Sequence, residues 1–249
     1  MRLVDVVTLA KLSRPTVHRI LRTLISESVA EQDPQTRRYR VGPEISVLGL
    51  SRPAQLPVRV AAEPYLSELA EELGDTIFLT IRAGWDSVAI ARKVGSYPIK
   101  VLAIDVGVRR PLGVGVAGVM LLAALSEEKA DQICNVNAER LRPDGSSMEV
   151  IRTRIRLARK NGFAYAESGV LQGTRALAVP VFDPDGEVTA AMAVAAMADR
   201  LAEAELPRLV AALRQKAELV SVRLGELKAG RCIRPVKARG SEPGTSKSP

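Results

Sequence analysis

Residues 3–26 read LVDVVTLAKLSRPTVHRILRTLIS, and the spacing of their apolar side chains sets the fold of this end of the chain. Leu3, Val6, Val7 and Ala10 stand at i, i+3, i+4 and i+7, which predicts one face of a short helix over 3–11. The pattern breaks at Leu12 and Ser13. Val17, Ile20, Leu21, Leu24 and Ile25 then resume the same spacing over a second helix. Ser13 offers an N-cap oxygen, and Pro15 is tolerated in a first turn because the N–H it lacks would have no acceptor there. Thr16, His18, Arg19, Arg22 and Thr23 are left on the outer face. Two short helices joined by a tight turn, the second basic outside, describe a helix-turn-helix whose second helix can enter a major groove.

Working outward, Val29-Ala30-Glu31 and Arg38-Tyr39-Arg40-Val41 read as two strands around the turn former Asp33-Pro34-Gln35-Thr36. The hairpin makes the motif winged, with Arg37 and Arg38 at its tip and flank, where a wing meets phosphates or a minor groove. The residues expected to contact double-stranded DNA are Ser13, Arg14, Thr16, Val17, His18, Arg19, Arg22, Arg37 and Arg38. A polar outer face belongs to any amphipathic surface helix, so periodicity alone leaves a plain solvated helix open. His18 is the only histidine; with no partner histidine it reads as a surface or phosphate contact, not a metal ligand.

The charge is distributed as this reading requires. The 249 residues carry a formal net charge of +8, divided as +4 over 1–41, −1 over 42–227 and +5 over 228–249. A basic end joined to a neutral body suggests a small module facing a polyanion and a larger one with another task. The last segment lacks apolar periodicity and repeats Gly, Ser, Pro and Lys, so a disordered tail is expected over 228–249. With 47% apolar and 26% charged residues the chain buries a core. The longest stretch free of charge, 111–126, falls short of the roughly 20 apolar residues of a membrane span. Cys134 and Cys232 stand far apart, and the opening residues do not form a signal peptide, so a reducing cytoplasm is expected and no membrane.

Beyond a linker at 49–57, the larger module reads as α+β. Helices are expected at 58–73 with Pro64 as a possible interruption and Gly74 as C-cap, and at 115–125, 127–137, 147–161 and 203–227. Strands are expected at 76–82, 87–94, 99–102, 163–167, 174–182 and 188–197.

The ordered blocks resemble a known family. The segment LAKLSRPTVHRILRTLISESVAEQDPQTRRYRVGPEISVLG (9–49) is similar to the winged helix-turn-helix of IclR-type bacterial transcriptional regulators. The likeness continues through AAEPYLSELAEELGDTIFLTI, GVRRPLGVGVAGVMLLAAL, RKNGFAYAESGV and VPVFDPDGEVTAAMAVAAMADRL, over roughly residues 2–225. The resemblance implies DNA binding by residues 1–48, a GAF-like effector-binding domain over 58–227, a homodimer or homotetramer on a palindromic operator, and control of catabolic genes. Family members begin with a further helix, so the chain is expected to be short at this end. If that shortening were real, a DNA-free small-molecule sensor would be the alternative.

Gly113-Val114-Gly115-Val116-Ala117-Gly118 formally matches the dinucleotide fingerprint G-x-G-x-x-G. Arg109-Arg110-Pro111 stand where a buried strand should precede it, and no Rossmann succession follows, which leaves a nucleotide-dependent enzyme as a weak alternative. One histidine supplies neither a nucleophile triad nor a zinc pair, and no enzyme activity and no cofactor are expected. By the resemblance, the effector site comprises Gly113, Val114, Gly115, Val116, Ala176, Ala193 and Ala195. Glycines and alanines replace polar residues common there, so the expected effector is a small organic acid with an apolar or aromatic body. Its carboxylate would meet the backbone N–H groups of a helix start near 113–116.

Overall fold

A computed structural model describes residues 1–50, 56–141, 147–167 and 169–230, in two compact units, Met1–Leu56 and Pro57–Pro249. Most of the expected linker (51–55), most of the expected tail (231–249) and Cys232 lie outside the described residues.

The first unit holds α1 (Leu3–Ala10), α2 (Arg14–Ser26), a hairpin of β1 (Ala30–Gln32) and β2 (Tyr39–Val41), and α3 (Glu44–Leu50). Ser13 caps α2, its hydroxyl accepting from the Thr16 N–H at 3.4 Å and lying 2.8 Å from the Thr16 hydroxyl. Val17 and Leu21 form the buried stripe of α2. The strands pair antiparallel with Glu31 opposite Arg40, and Asp33 holds the turn through the Gln35 and Thr36 N–H groups at 2.9 and 2.7 Å. Gly42 follows, so close to the chain leaving α2 that a Cβ there would stand 2.1 Å from the Ser28 carbonyl oxygen. α3 occupies residues that no apolar period in the sequence marked.

The second unit is a three-layer sandwich. Its antiparallel sheet runs β5-β4-β3-β8-β7-β6, from β3 (Thr76–Ala83), β4 (Asp86–Val94), β5 (Arg109–Pro111), β6 (Ala164–Ala166), β7 (Thr174–Phe182) and β8 (Val188–Met197). Alternation along the strands separates two cores. On one face Ile77, Leu79, Leu177, Val179, Met192 and Val194 pack against α4 (Pro57–Leu73) and α8 (Leu206–Lys228). On the other, Phe78, Ala178, Ala191, Ala193 and Ala195 face α5 (Gly115–Ala123), α6 (Glu127–Leu141) and α7 (Met148–Asn161).

Several expectations are corrected. Residues 99–102 form no strand: the edge of β4 is taken by β5, with Asp86 opposite Pro111, and by bonds between Ala89 and the Gly107–Val108 backbone. A strand forms only where a partner edge is free, and here that partner is Arg109-Arg110-Pro111, tolerable because proline can sit on an edge. Pro64 does not interrupt α4. Helix α6 continues to Leu141, and α8 starts at Leu206 after a 3-10 turn at Glu203–Glu205. The linker is narrower than 49–57, since α3 reaches Leu50 and α4 begins at Pro57.

Candidate functional site: a basic helix face and an apolar cavity

In the first unit α2 presents Arg14, His18, Arg19 and Arg22 to solvent, and the wing presents Arg37 and Arg38. Among the described residues none of these five arginines forms an ion pair, so their guanidinium groups are not engaged by a carboxylate of the chain. Arg14 and His18 of α2 and Thr36 and Arg37 of the wing line one open groove together with Arg2 and a single acid, Asp5. Helix and wing thereby offer cations along a shared concave surface, the geometry that phosphate contacts require.

One residue expected at the DNA has another position. Val17 is 2% exposed and anchors α2 to its own unit, so it cannot reach a base edge without unfolding the helix. The periodicity itself places Val17 on the apolar stripe with Leu21, on the face of α2 away from its basic side chains. Ser13 accepts from the Thr16 N–H as the helix cap and stays exposed.

In the second unit the alanine face of the sheet and the start of α5 enclose a cavity of about 250 Å³. Ala176, Ala193 and Ala195 line it, with Phe78, Thr80 and Ala89 from β3 and β4, and Val114, Gly115 and Val116 from the glycine run. Gly113 is not on the lining; a Cβ there would meet Ile151 and Leu141 at 3.4 and 3.5 Å. Gly113 and Gly115 have φ of +109° and +65°, the left-handed region in which a His or Thr would be strained. Just before the run, Asn137, fully buried in α6, donates its amide to the Leu112 carbonyl at 3.4 Å and to the Trp85 carbonyl at 2.7 Å. Val114, the N-cap of α5, has no side-chain acceptor for the first-turn N–H groups.

The cavity is less purely apolar than the three aligned alanines suggest. Thr80, Ser87, Thr174, Arg110 and Arg154 also line it, and among the described residues no Asp or Glu does. The Ser87 and Thr174 hydroxyls donate to the Arg110 and Leu171 carbonyls, which leaves Thr80 as the lining hydroxyl whose donation is not already used. Sequence reasoning passed over these five residues. An arginine three places before the glycine run was the one available signal; nothing local marked Arg154 on α7.

Comparison with known proteins agrees with both halves. The model described as Bacterial transcriptional regulator IclR C-terminal matches residues 53–222, and the IclR helix-turn-helix domain matches 1–34. This chain belongs to the IclR family. It is therefore an effector-responsive, DNA-binding transcriptional regulator and not an enzyme. Among IclR-family relatives, the HTH-type transcriptional regulator XynR of Escherichia coli K12 is 28% identical over 230 residues, covering 90% of each chain. The crystal structure of an IclR transcriptional regulator from Silicibacter sp. superposes with a TM-score of 0.78 at 26% identity, covering 90% of this chain and 89% of that one. An IclR homologue from Microbacterium hydrocarbonoxydans, solved with 4-hydroxybenzoate, shares the fold at a TM-score of 0.70 and 20% identity, over 90% and 91% of the two chains. With the family known, the glycine run is part of an IclR effector domain, and its dinucleotide-like spacing is coincidental.

Proposed function

We propose that this IclR-family chain is a cytoplasmic homodimer or homotetramer that controls catabolic genes by binding a palindromic operator. Arg14, Arg19, Arg22, Arg37 and Arg38 meet the DNA, and the cavity of the second unit takes a small organic acid with an apolar or aromatic body. The effector reading is carried by one observation: a cavity floored by Ala176, Ala193 and Ala195 whose described lining contains arginine and no acid. A hydroxyl-rich ligand would leave polar groups unpaired there, at about 1–3 kcal/mol each. An apolar body gains roughly 25 cal/mol per Å² buried. The volume is ample for one ring, since an engineered cavity of about 150 Å³ already admits benzene. That the same fold holds 4-hydroxybenzoate in a distant homologue is consistent with this class of ligand.

Exposed apolar side chains on the first unit, among them Val4, Leu9, Val41 and Val47, support self-association through that unit. A mobility-shift assay with intergenic DNA flanking the gene tests the operator reading, and an Arg14→Ala/Arg19→Ala double variant that binds as the parent does would refute the placement of α2. Calorimetry tests the effector: benzoate-like acids are expected to bind and glyoxylate and pyruvate not to, with Ala193→Asp abolishing the former. The reverse selectivity would overturn this reading.

A further inference from the structure

We propose that Arg110 is the charge anchor of the cavity: its guanidinium receives the carboxylate of the bound acid, and so decides between an organic anion and its uncharged analogue. This rests on the reading that the cavity takes a carboxylate effector.

The argument starts from the hydrogen-bond accounting of one side chain. Arg110 lies on β5 and lines the cavity. Its Nη2 donates to the Ala103 carbonyl at 2.8 Å, and Ala103 is itself on the cavity wall. Its Nη1 is buried without any partner. No carboxylate pairs with Arg110 among the described residues, because Asp86, the acid nearest in the ladder, is engaged by Arg109 and Arg140. A guanidinium stays charged at every physiological pH, and a buried N–H of a cation with no acceptor is costly. Pinning the Ala103 backbone explains Nη2 and leaves Nη1 unexplained. An anion in the cavity supplies the missing acceptor, and among the described lining residues no carboxylate competes for that place. The same walls hold the uncapped first turn of α5, whose N–H groups favour the same charge. Arg154 also lines the cavity and makes no ion pair among the described residues; both arginines are half-buried, but only Arg110 carries a buried N–H without an acceptor, so Arg154 adds positive potential while Arg110 makes the bond.

Titration calorimetry of the full chain with benzoate, 4-hydroxybenzoate and phenylacetate, each against its carboxamide, reads the inference. The parent chain should favour the acids by about 10- to 150-fold, the range of one charge-assisted hydrogen bond. Arg110→Gln, whose amide can still donate to Ala103, should lose most of the preference for acid over amide. Arg154→Gln should lower the ratio by less. Should Arg110→Gln not melt cooperatively, Arg110→Lys carries the test: an ammonium lacks the planar fork that serves Ala103 and a carboxylate together, so the acid preference should fall. An Arg110 variant that folds and keeps the full preference overturns the role of Arg110 and leaves the effector reading standing. A parent chain that binds none of the acids overturns the effector reading, and this inference with it.

Discussion

Asp33 shows how much of the DNA-facing hairpin depends on one carboxylate. Its oxygen accepts from the Thr36 and Gln35 N–H groups, and the Thr36 backbone bond, followed by that of the Thr36 side chain, holds its carboxyl below the usual range. A lowered folded pKa means the turn is fully supported above the unfolded value near 3.9 and loses that support as pH falls through the lower, folded value. Asp33→Ala is expected to weaken operator binding several-fold and to speed amide exchange at Gln35 and Thr36, with Asp33→Asn closer to the parent. In the second unit Arg200 grips the 8%-exposed Asp75 through both carboxylate oxygens at 3.0–3.1 Å, donates to the Leu73 carbonyl at 2.8 Å, and lies 4.0 Å from the Tyr97 ring centre. The pair clamps the end of α4 to the chain after β8. Removing one partner strands the other, so Asp75→Asn should cost about 3 kcal/mol in chemical denaturation. Pairing it with Arg200→Met should cost less than the two single changes summed.

At the scale of elements, two devices make the cavity. Period-two alternation in β8 puts Met192 and Val194 on the α4–α8 side and Ala191, Ala193 and Ala195 on the other, so the sheet is thick-walled on one face and shallow on the opposite one. Ala193→Leu is expected to fill the cavity, reducing benzoate affinity at least tenfold while the melting temperature stays level or rises; unchanged affinity would place the ligand elsewhere. The second device is a close approach. A Cβ on Gly95, just after β4, would stand 2.2 Å from the Gly74 carbonyl carbon and 2.4 Å from the Ala70 carbonyl oxygen, backbone that cannot swing aside. Gly95→Ala should therefore lower stability by about 2–3 kcal/mol, read by thermal or urea unfolding.

For the whole molecule, the basic first unit and the neutral body of the second unit are expected to differ in their response to salt. If a dimer neutralises about six to eight phosphates, the logarithm of operator affinity should fall against the logarithm of salt with a slope of roughly −5 to −7. Effector binding to the neutral unit should show far weaker salt dependence, because its charge contact is enclosed. A shallow operator slope, near −2, would mean that the arginines of α2 and the wing do not act together. Sedimentation equilibrium of the free protein checks the assembly, and a monomer at micromolar concentration would count against it.

Local chemistry made much of this legible. The apolar period and the Ser13 cap determine α2, the Asp33 turn determines the wing, and uninterrupted β-prone runs bounded by turn formers determine β7 and β8, whose observed bounds match the reading residue for residue. These depend on neighbours within one turn or one hairpin. What the sequence could not decide required distant partners. Residues 99–102 have strand-like composition but meet no free edge, whereas Arg109-Arg110-Pro111 pair because β4 stands ready beside them. Gly113 and Gly115 look alike in the run, yet only Gly115 faces the cavity, because Leu141 and Ile151 come up against the other. Arg110 becomes a candidate anchor only when the folded chain leaves its Nη1 buried with no acceptor, a fact of packing that no local pattern encodes.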